Sequence, residues 1–348
     1  MSVSTMCVIS SVRNMPSKYS EIGSEFWIES IPERLLTERD GVYALSGRTA
    51  IDLILQEVLR QRPVKNVAMP AWCCDSMVAP FLTHGIEVVF YEGSDLPHAD
   101  IIYLTNYFGY ENTQSLEVVK GIKNGECIVL YDRTHSFLMD DMPYKGLADY
   151  SFASIRKWMG VVGGAMIEGL KEVPRLKKCS FVSDKESAMH DKYCYMKGDD
   201  TIVKDAFLEV FWAFSHSLSA DYCDYEMDDL SYTLFKQTNL AAVKKQRREN
   251  ASYIHENVKG LQVVYEFTDE SVPLFVPVLF ESQEKRDYVR KKLIEQQIYC
   301  PIHWPQPERI PASFYVNEIV NRELSLICDQ RYGLEEMKLE IDTINQLI

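Results

Sequence analysis

Between residues 67 and 153 one pattern recurs: a short segment apolar at consecutive positions, with stretches of helical spacing in between. The apolar segments are Val67-Ala68-Met69, Glu87–Tyr91, Ile101–Thr105, Cys127–Tyr131 and Tyr150–Ala153. A strand with one wet face alternates apolar and polar residues, so runs of this kind need cover on both faces. Helical spacing appears in Ile51, Ile54, Leu55, Val58 and Leu59 behind the cap-like Ser46-Gly47, again from Asp75 to His84, and again over Leu116–Ile122. The combination predicts an α/β fold: a mainly parallel sheet with helices on both sides. Val161–Glu168, with Gly163-Gly164 inside it, continues the sheet.

Beyond about residue 170 the character changes. Residues 201–220 and 232–259 read as two longer helices. Leu261–Tyr265, Leu274–Leu279, a helix Gln283–Gln296, Ile298–Cys300 and a last helix from Leu334 read as a smaller α+β unit. At roughly 100–200 residues per domain, 348 residues suggest two domains. The expected division is an arm over 1–35, packed down by Trp27 and Ile28, a large α/β domain over 36–240, and a small α+β domain over 241–348.

Charge and cysteine content narrow the function. With 37 Lys+Arg against 51 Asp+Glu the formal charge is −14, which repels phosphate backbones and anionic lipid. The one basic run, Lys244-Lys245-Gln246-Arg247-Arg248, lies within an expected helix and reads as a solvated face. No apolar run approaches the ~18–20 residues that span a bilayer, and Met1 to Met15 lacks a secretory signal's pattern. Nucleic acid and membrane are therefore not expected partners. Nine cysteines without CxxC spacing read as reduced thiols of a cytoplasmic protein, the adjacent Cys73 and Cys74 included. The acidic run from Asp221 to Asp229 lacks calcium-loop spacing, so no metal is expected.

In an open parallel sheet, ligands bind beyond the carboxyl ends of the strands, where helix N-termini gather. Residues placed there are Ser46-Gly47-Arg48-Thr49, opening the first helix, then Trp72, Asn106-Tyr107, Asp132 with His135, and Ser154 with Lys157. Together they supply an amine, a carboxylate, an imidazole, an aromatic plate and a helix N-terminus. Pyridoxal phosphate needs that set: a lysine for its aldehyde, a carboxylate for its ring nitrogen, and backbone N–H groups for its phosphate.

Three stretches carry a family pattern: Tyr131-Asp132-Arg133-Thr134-His135-Ser136, Asp149 to Trp158 with Lys157 inside, and Gly163-Gly164-Ala165. With Ser46 to Ala50 and Met69 to Trp72 upstream, and Pro301 to Pro305 and Asp329 to Tyr332 downstream, the chain resembles the DegT/DnrJ/EryC1/StrS aminotransferases, which are fold-type-I, pyridoxal-phosphate-dependent enzymes. The resemblance is specific over residues 40–170 and looser beyond. It implies that Lys157 condenses with the cofactor's aldehyde and later shuttles a proton, that Asp132 pairs with the ring nitrogen, and that His135 lies near the phenolic oxygen. It further implies that Trp72 stacks on the ring and that Gly47, Arg48 and Thr49 form the phosphate loop. Arg48 stands where the family usually has a hydroxyl. The family's phosphate-binding serine falls at Phe152 here, leaving Ser151 or Ser154, of which Ser154 is nearer the lysine turn.

By the same resemblance the enzyme is a homodimer that moves an amino group, usually from glutamate, to a keto-sugar, in many members nucleotide-linked. The asparagine that a partner subunit sends to the phosphate has no counterpart in Met227 to Tyr232, where Ser231 is the possible substitute. Tyr107, His303 and Arg331 are the candidate substrate contacts. Two other readings keep the fold: a lyase or desulfurase, which wants a mobile nucleophilic cysteine, and a non-catalytic binding protein.

Overall fold

The computed structural model describes residues 19–111, 117–119, 121–122, 127–139, 146–305, 310–311 and 314–348, so the expected helix Leu116–Ile122 lies partly outside the described residues. The first strand, β1 (Ile22–Gly23), belongs to the C-terminal half and is taken up below. A seven-stranded sheet holds the centre. Its strands are β2 (Val42–Ala44), β3 (Asn66–Pro70), β4 (Glu87–Tyr91), β5 (Ile101–Thr105), β6 (Ile128–Asp132), β7 (Tyr150–Ser154) and β8 (Ala165–Glu168), in spatial order β2-β8-β7-β6-β5-β3-β4. From β4 to β7 all neighbours pair in parallel, whereas β8 runs antiparallel to both β7 and β2. The five residues of β5 and of β7 are all buried.

Helix α1 (Gly47–Gln61) packs beneath this sheet. Ser46 caps it, its Oγ accepting from the Thr49 N–H at 3.2 Å. Ile51, Ile54, Leu55 and Val58 lie on its buried face, each contributing roughly 1.5–3 kcal/mol of burial. The turn between Val161 and β8 passes so close to Leu45 that a Cβ on Gly163 would lie 2.5 Å from the Leu45 carbonyl oxygen. That turn accepts only glycine.

The C-terminal half carries a three-stranded antiparallel sheet, order β12-β10-β9, from β9 (Gln262–Val263), β10 (Val276–Leu279) and β12 (Glu323–Leu326). Beside it, β11 (Ile298–Tyr299) pairs in parallel with β1. The segment after β1 is pinned by Trp27 and Ile28, both buried, with Trp27 in one cluster with Val276, Leu324 and Ile341. The N-terminal segment thus reaches from the C-terminal sheet to the main one.

Several elements depart from the sequence reading. The stretch 232–259 is two helices, Asp229–Gln237 and Leu240–Asn257, because Asn239 starts the second by accepting from the Ala242 N–H at 3.1 Å. The helix Val182–Met196 shows no clear apolar period because Lys185 and Lys192 lie on its buried face. Strand β12 hides for the same reason, with Glu323 and Ser325 fully buried in its four residues.

Candidate functional site

Beyond the carboxyl ends of β5, β6 and β7 lies a cavity of about 420 Å³. Thr105, Asp132 and Ser154 reach it as the last residues of those strands, and Ser46, Gly47 and Arg48 reach it from the start of α1. Ser24, Glu25 and Phe26 wall it from the N-terminal segment, Lys185 and Met189 from the helix Val182–Met196, and His303, Asp329 and Arg331 from the C-terminal half.

Lys157 projects from the single helical turn Ile155–Lys157 after β7. The turn is held on both sides: the Ile155 N–H donates to the Gly164 carbonyl at 2.8 Å, and the buried Trp158 indole N–H donates to the Thr134 carbonyl at 2.6 Å. Lys157 is exposed and lines the cavity, and the protein packed around it removes part of its hydration. Partial desolvation disfavours the ammonium, and the Arg156 and Arg48 guanidinium groups push the same way against Cys74 and Glu25. The amine is pulled down to about 8.

Asp132 ends β6 with both oxygens engaged: Oδ2 accepts from the Tyr103 hydroxyl at 2.7 Å and Oδ1 from the Thr134 N–H at 2.8 Å. Burial raises its pKa, opposed by these donors and by Lys157. Three residues on, His135 Nδ1 accepts from the Phe108 N–H at 3.2 Å, which leaves the proton on Nε2. Burial and Lys157 push this imidazole down to about 3, so it is a neutral donor.

The cavity is cationic in an acidic chain. Arg48, Arg156, Lys157, Lys185, Arg247 and Arg331 line it against Glu25, Asp132 and Asp329. The Nε atoms of Arg48 and Arg156 are buried with no hydrogen-bond partner. A buried unpaired donor costs about 1–3 kcal/mol, more when charged, so these groups fit an anionic ligand. Together with the capped N-terminus of α1, they suit a phosphate. Among the described residues, no group of three or more His, Cys, Asp or Glu side chains is arranged to hold a metal ion, and no helix is long and apolar enough to cross a membrane.

Gly47, Arg48, Asp132, His135, Ser154, Lys157 and His303 meet in this one cavity. Ser151 lies elsewhere, its hydroxyl donating to Glu168 Oε2 at 2.8 Å. Thr49 is buried behind the wall, its hydroxyl 2.9 Å from Ser46 Oγ. Trp72 does not line the cavity. Its indole N–H donates to the His303 carbonyl at 2.8 Å and its ring stacks on Tyr107 at 5.0 Å, while the Tyr107 hydroxyl donates back to the Trp72 carbonyl at 2.7 Å. Tyr107 is outside the cavity for the same reason, and Cys74, two residues after Trp72, takes the position in the wall.

Arg331 lines the cavity but is spent on structure. It grips both Asp329 oxygens, at 2.9 and 2.8 Å, and donates to the Ser24 and Glu25 carbonyls, each at 3.0 Å. Ser231 is likewise used within its own chain, accepting from the Val162 N–H at 3.0 Å. Glu25 and Lys185 were not singled out by the sequence, whereas Arg156 carried a signal as the positive neighbour expected to lower the Lys157 amine.

No family model matches the sequence, and no curated protein matches it. Solved structures match its fold. NtdA from Bacillus subtilis with bound cofactor PMP aligns with a TM-score of 0.61 at 16% identity, over 88% of this chain and 72% of that one. The sugar aminotransferase CalS13 from Micromonospora echinospora aligns with a TM-score of 0.59 at 11% identity, over 88% and 86%. DesI, in the presence of its TDP-sugar product, aligns with a TM-score of 0.59 at 14% identity, over 90% and 81%. The likeness is one of fold.

Proposed function

We propose that this chain is a pyridoxal-phosphate-dependent aminotransferase of the DegT/DnrJ/EryC1/StrS family, moving an amino group, from glutamate or a similar donor, to a nucleotide-linked keto-sugar. The observation that carries the reading is Lys157: an amine pulled down to about 8, lining a cavity that also presents Asp132 and the unpartnered Nε atoms of Arg48 and Arg156. When bound, the cofactor supplies an aldehyde that accepts the amino group and a ring that takes up electrons.

The chain's own residues do the rest. The N–H groups at the start of α1, with Arg48, Arg156 and Ser154, hold the phosphate. Asp132 keeps a proton on the ring nitrogen, and the charge it gains as partner compensates the cost of burying its carboxylate. His135 donates from Nε2 to the phenolic oxygen. Lys157 Nζ, neutral for an appreciable fraction of the time near pH 8, is the nucleophile and then the base that carries a proton between the substrate carbon and the cofactor.

The same reading assigns residues 36–240 to cofactor binding and 241–348 to a smaller unit that contributes His303, in a cytoplasmic homodimer. Leu208 and Trp212 are exposed on the helix Lys204–Ala220, whose Leu218 reaches the cavity. They give a second copy an apolar face to cover beside the site. Sedimentation is expected to show a dimer, and a monomer at all concentrations contradicts this part.

The test is conversion. Loaded protein, glutamate and a panel of nucleotide-linked keto-sugars are expected to give an amino-sugar and 2-oxoglutarate in equal amounts. Loaded protein that exchanges with no amino donor overturns the reading.

A further inference from the structure

Strand β12 places Glu323 and Ser325 two residues apart, on one face of the strand, and both are fully buried. The Ser325 hydroxyl is in hydrogen-bond contact with Glu323 Oε1, and the other carboxyl oxygen, Oε2, accepts from the His303 N–H at 2.8 Å. Ser325 Oγ then lies 2.8 Å from His303 Nδ1. His303 lines the cavity, and its remaining ring nitrogen, Nε2, is not among the buried atoms lacking a partner. An unbroken polar chain therefore runs from a buried carboxyl group through a hydroxyl to an imidazole at the cavity wall.

This chain has two self-consistent arrangements. With Glu323 ionised, Ser325 donates to the carboxylate, His303 Nδ1–H donates to Ser325, and Nε2 presents a lone pair to the cavity. With Glu323 protonated every bond reverses: Glu323 donates to Ser325, Ser325 donates to Nδ1, and Nε2 carries the proton. Burial pushes Glu323 up to about 8, with Ser325, the His303 N–H and Arg286 opposing, so both arrangements are accessible near neutrality. The doubly protonated imidazole is not, because burial, His135 and Lys157 hold His303 well below its ordinary value. His303 can pass a proton on but cannot store one. Charged or titratable groups facing this chain are Arg286 from the helix Gln283–Glu295, Tyr265 beside β9, and His135 and Lys157 across the cavity.

We propose that Glu323, Ser325 and His303 form a proton relay, ending at His303 Nε2, that serves the oxygen of the carbonyl compound in the cavity. The inference rests on the aminotransferase reading. When an acceptor is aminated its carbonyl oxygen leaves as water: the C–O electron pair stays on oxygen and a proton must reach it. The Nε2–H bond breaks to supply that proton, Nδ1 takes the Ser325 proton, Ser325 takes the Glu323 proton, and Glu323 is left as carboxylate. The opposite half-reaction adds water to release the oxo product. The water's proton enters at Nε2 and reloads Glu323, so the two halves balance without an outside acid. His303 touches the substrate, and Ser325 and Glu323 act through it.

The experiment follows the His303 ring nitrogens by ¹⁵N NMR in histidine-labelled holoenzyme, where the chain's seven histidines keep the spectrum simple and His303→Gln assigns the signals. The wild type is expected to change from the Nδ1–H to the Nε2–H tautomer as pH falls through the region near 8. Glu323→Gln freezes the Nε2–H form, because its amide oxygen must accept from the His303 N–H and its NH₂ then donates to Ser325. Ser325→Ala abolishes the pH response. A tautomer that is the same at every pH and in all three proteins overturns the relay. In single turnovers with Ser325→Ala, cofactor loading is expected to be unchanged and the acceptor step slowed about 10²-fold, as for loss of a general acid. An unchanged acceptor step overturns the catalytic role. A tautomer switch in a protein that aminates no acceptor leaves the relay standing and refutes the aminotransferase reading instead.

Discussion

The indole N–H of Trp158 donates to the carbonyl oxygen of Thr134 at 2.6 Å, which fastens the turn bearing Lys157 to the loop bearing Asp132 and His135. The amine and the carboxylate, which come from adjacent parallel strands, are thereby set at one fixed spacing. Trp158→Phe keeps an aromatic ring but loses this bond together with part of the buried indole that packs under Arg247. The Thr134 carbonyl is then buried unpaired, so unfolding in denaturant is expected to show a loss of about 1–3 kcal/mol. Cofactor affinity falls with it. Full stability and full affinity in the variant contradict the fastening role.

Lys157 sets a pH dependence. Its folded value is about 8, below its ordinary value, so the ammonium form predominates at lower pH and the nucleophilic amine above. Capture of pyridoxal phosphate by the apo protein, followed by its visible band, is expected to accelerate as pH rises through about 8. Because the unfolded chain binds the proton more tightly, apo stability rises with pH over the window between the folded and unfolded values. Arg156→Gln removes one repelling charge and moves the capture midpoint upward; an unshifted midpoint contradicts the assigned cause.

The buried, unpartnered Nε atoms of Arg48 and Arg156 imply selectivity for a phosphorylated ligand. Arg48→Met is expected to weaken pyridoxal phosphate at least tenfold and to leave pyridoxal, which lacks the phosphate, within about twofold. Equilibrium titration of both compounds reads the difference, and equal losses for the two place Arg48 outside the phosphate site.

Trp72 provides a contrast. Trp72→Phe breaks the indole bond to the His303 carbonyl and part of the stack on Tyr107. Thermal unfolding is expected to shift down while cofactor affinity holds. Lost affinity at unchanged stability would place the ring against the cofactor after all.

Most of the main sheet was legible because its strands are runs of mainly apolar residues: β4 and β5 fall on the residues the pattern names, β3, β6 and β7 differ by a residue at their ends, and the three-residue β2 was not read. The strand-end residues Asp132, Ser154 and Lys157 followed from that sheet, since strand ends fix where a ligand can sit. Trp72 did not follow, because its place depends on how the chain turns after Pro70, and Cys74 rather than Trp72 comes out at the wall. Arg331 looked available for a substrate until Asp329, two residues away, was seen to occupy its fork. Lys185, Lys192, Glu323 and Ser325 were invisible for one shared physical reason. Each is a polar residue at a buried position of an element, so it erases the apolar period by which that element is read.

Three amines in this region are held low, Lys157 and Lys185 at about 8 and Lys192 at about 7, yet only Lys157 faces the cavity without a hydrogen-bond partner among the described residues. Lys185 donates to Glu25 Oε2 at 2.6 Å, and Lys192 to Ser24 Oγ at 2.8 Å. Borohydride reduction of the loaded protein followed by peptide mass mapping tells them apart. The reduced cofactor is expected on the peptide containing Lys157 and nowhere else; its attachment to Lys185 or Lys192, or to no lysine, contradicts the account.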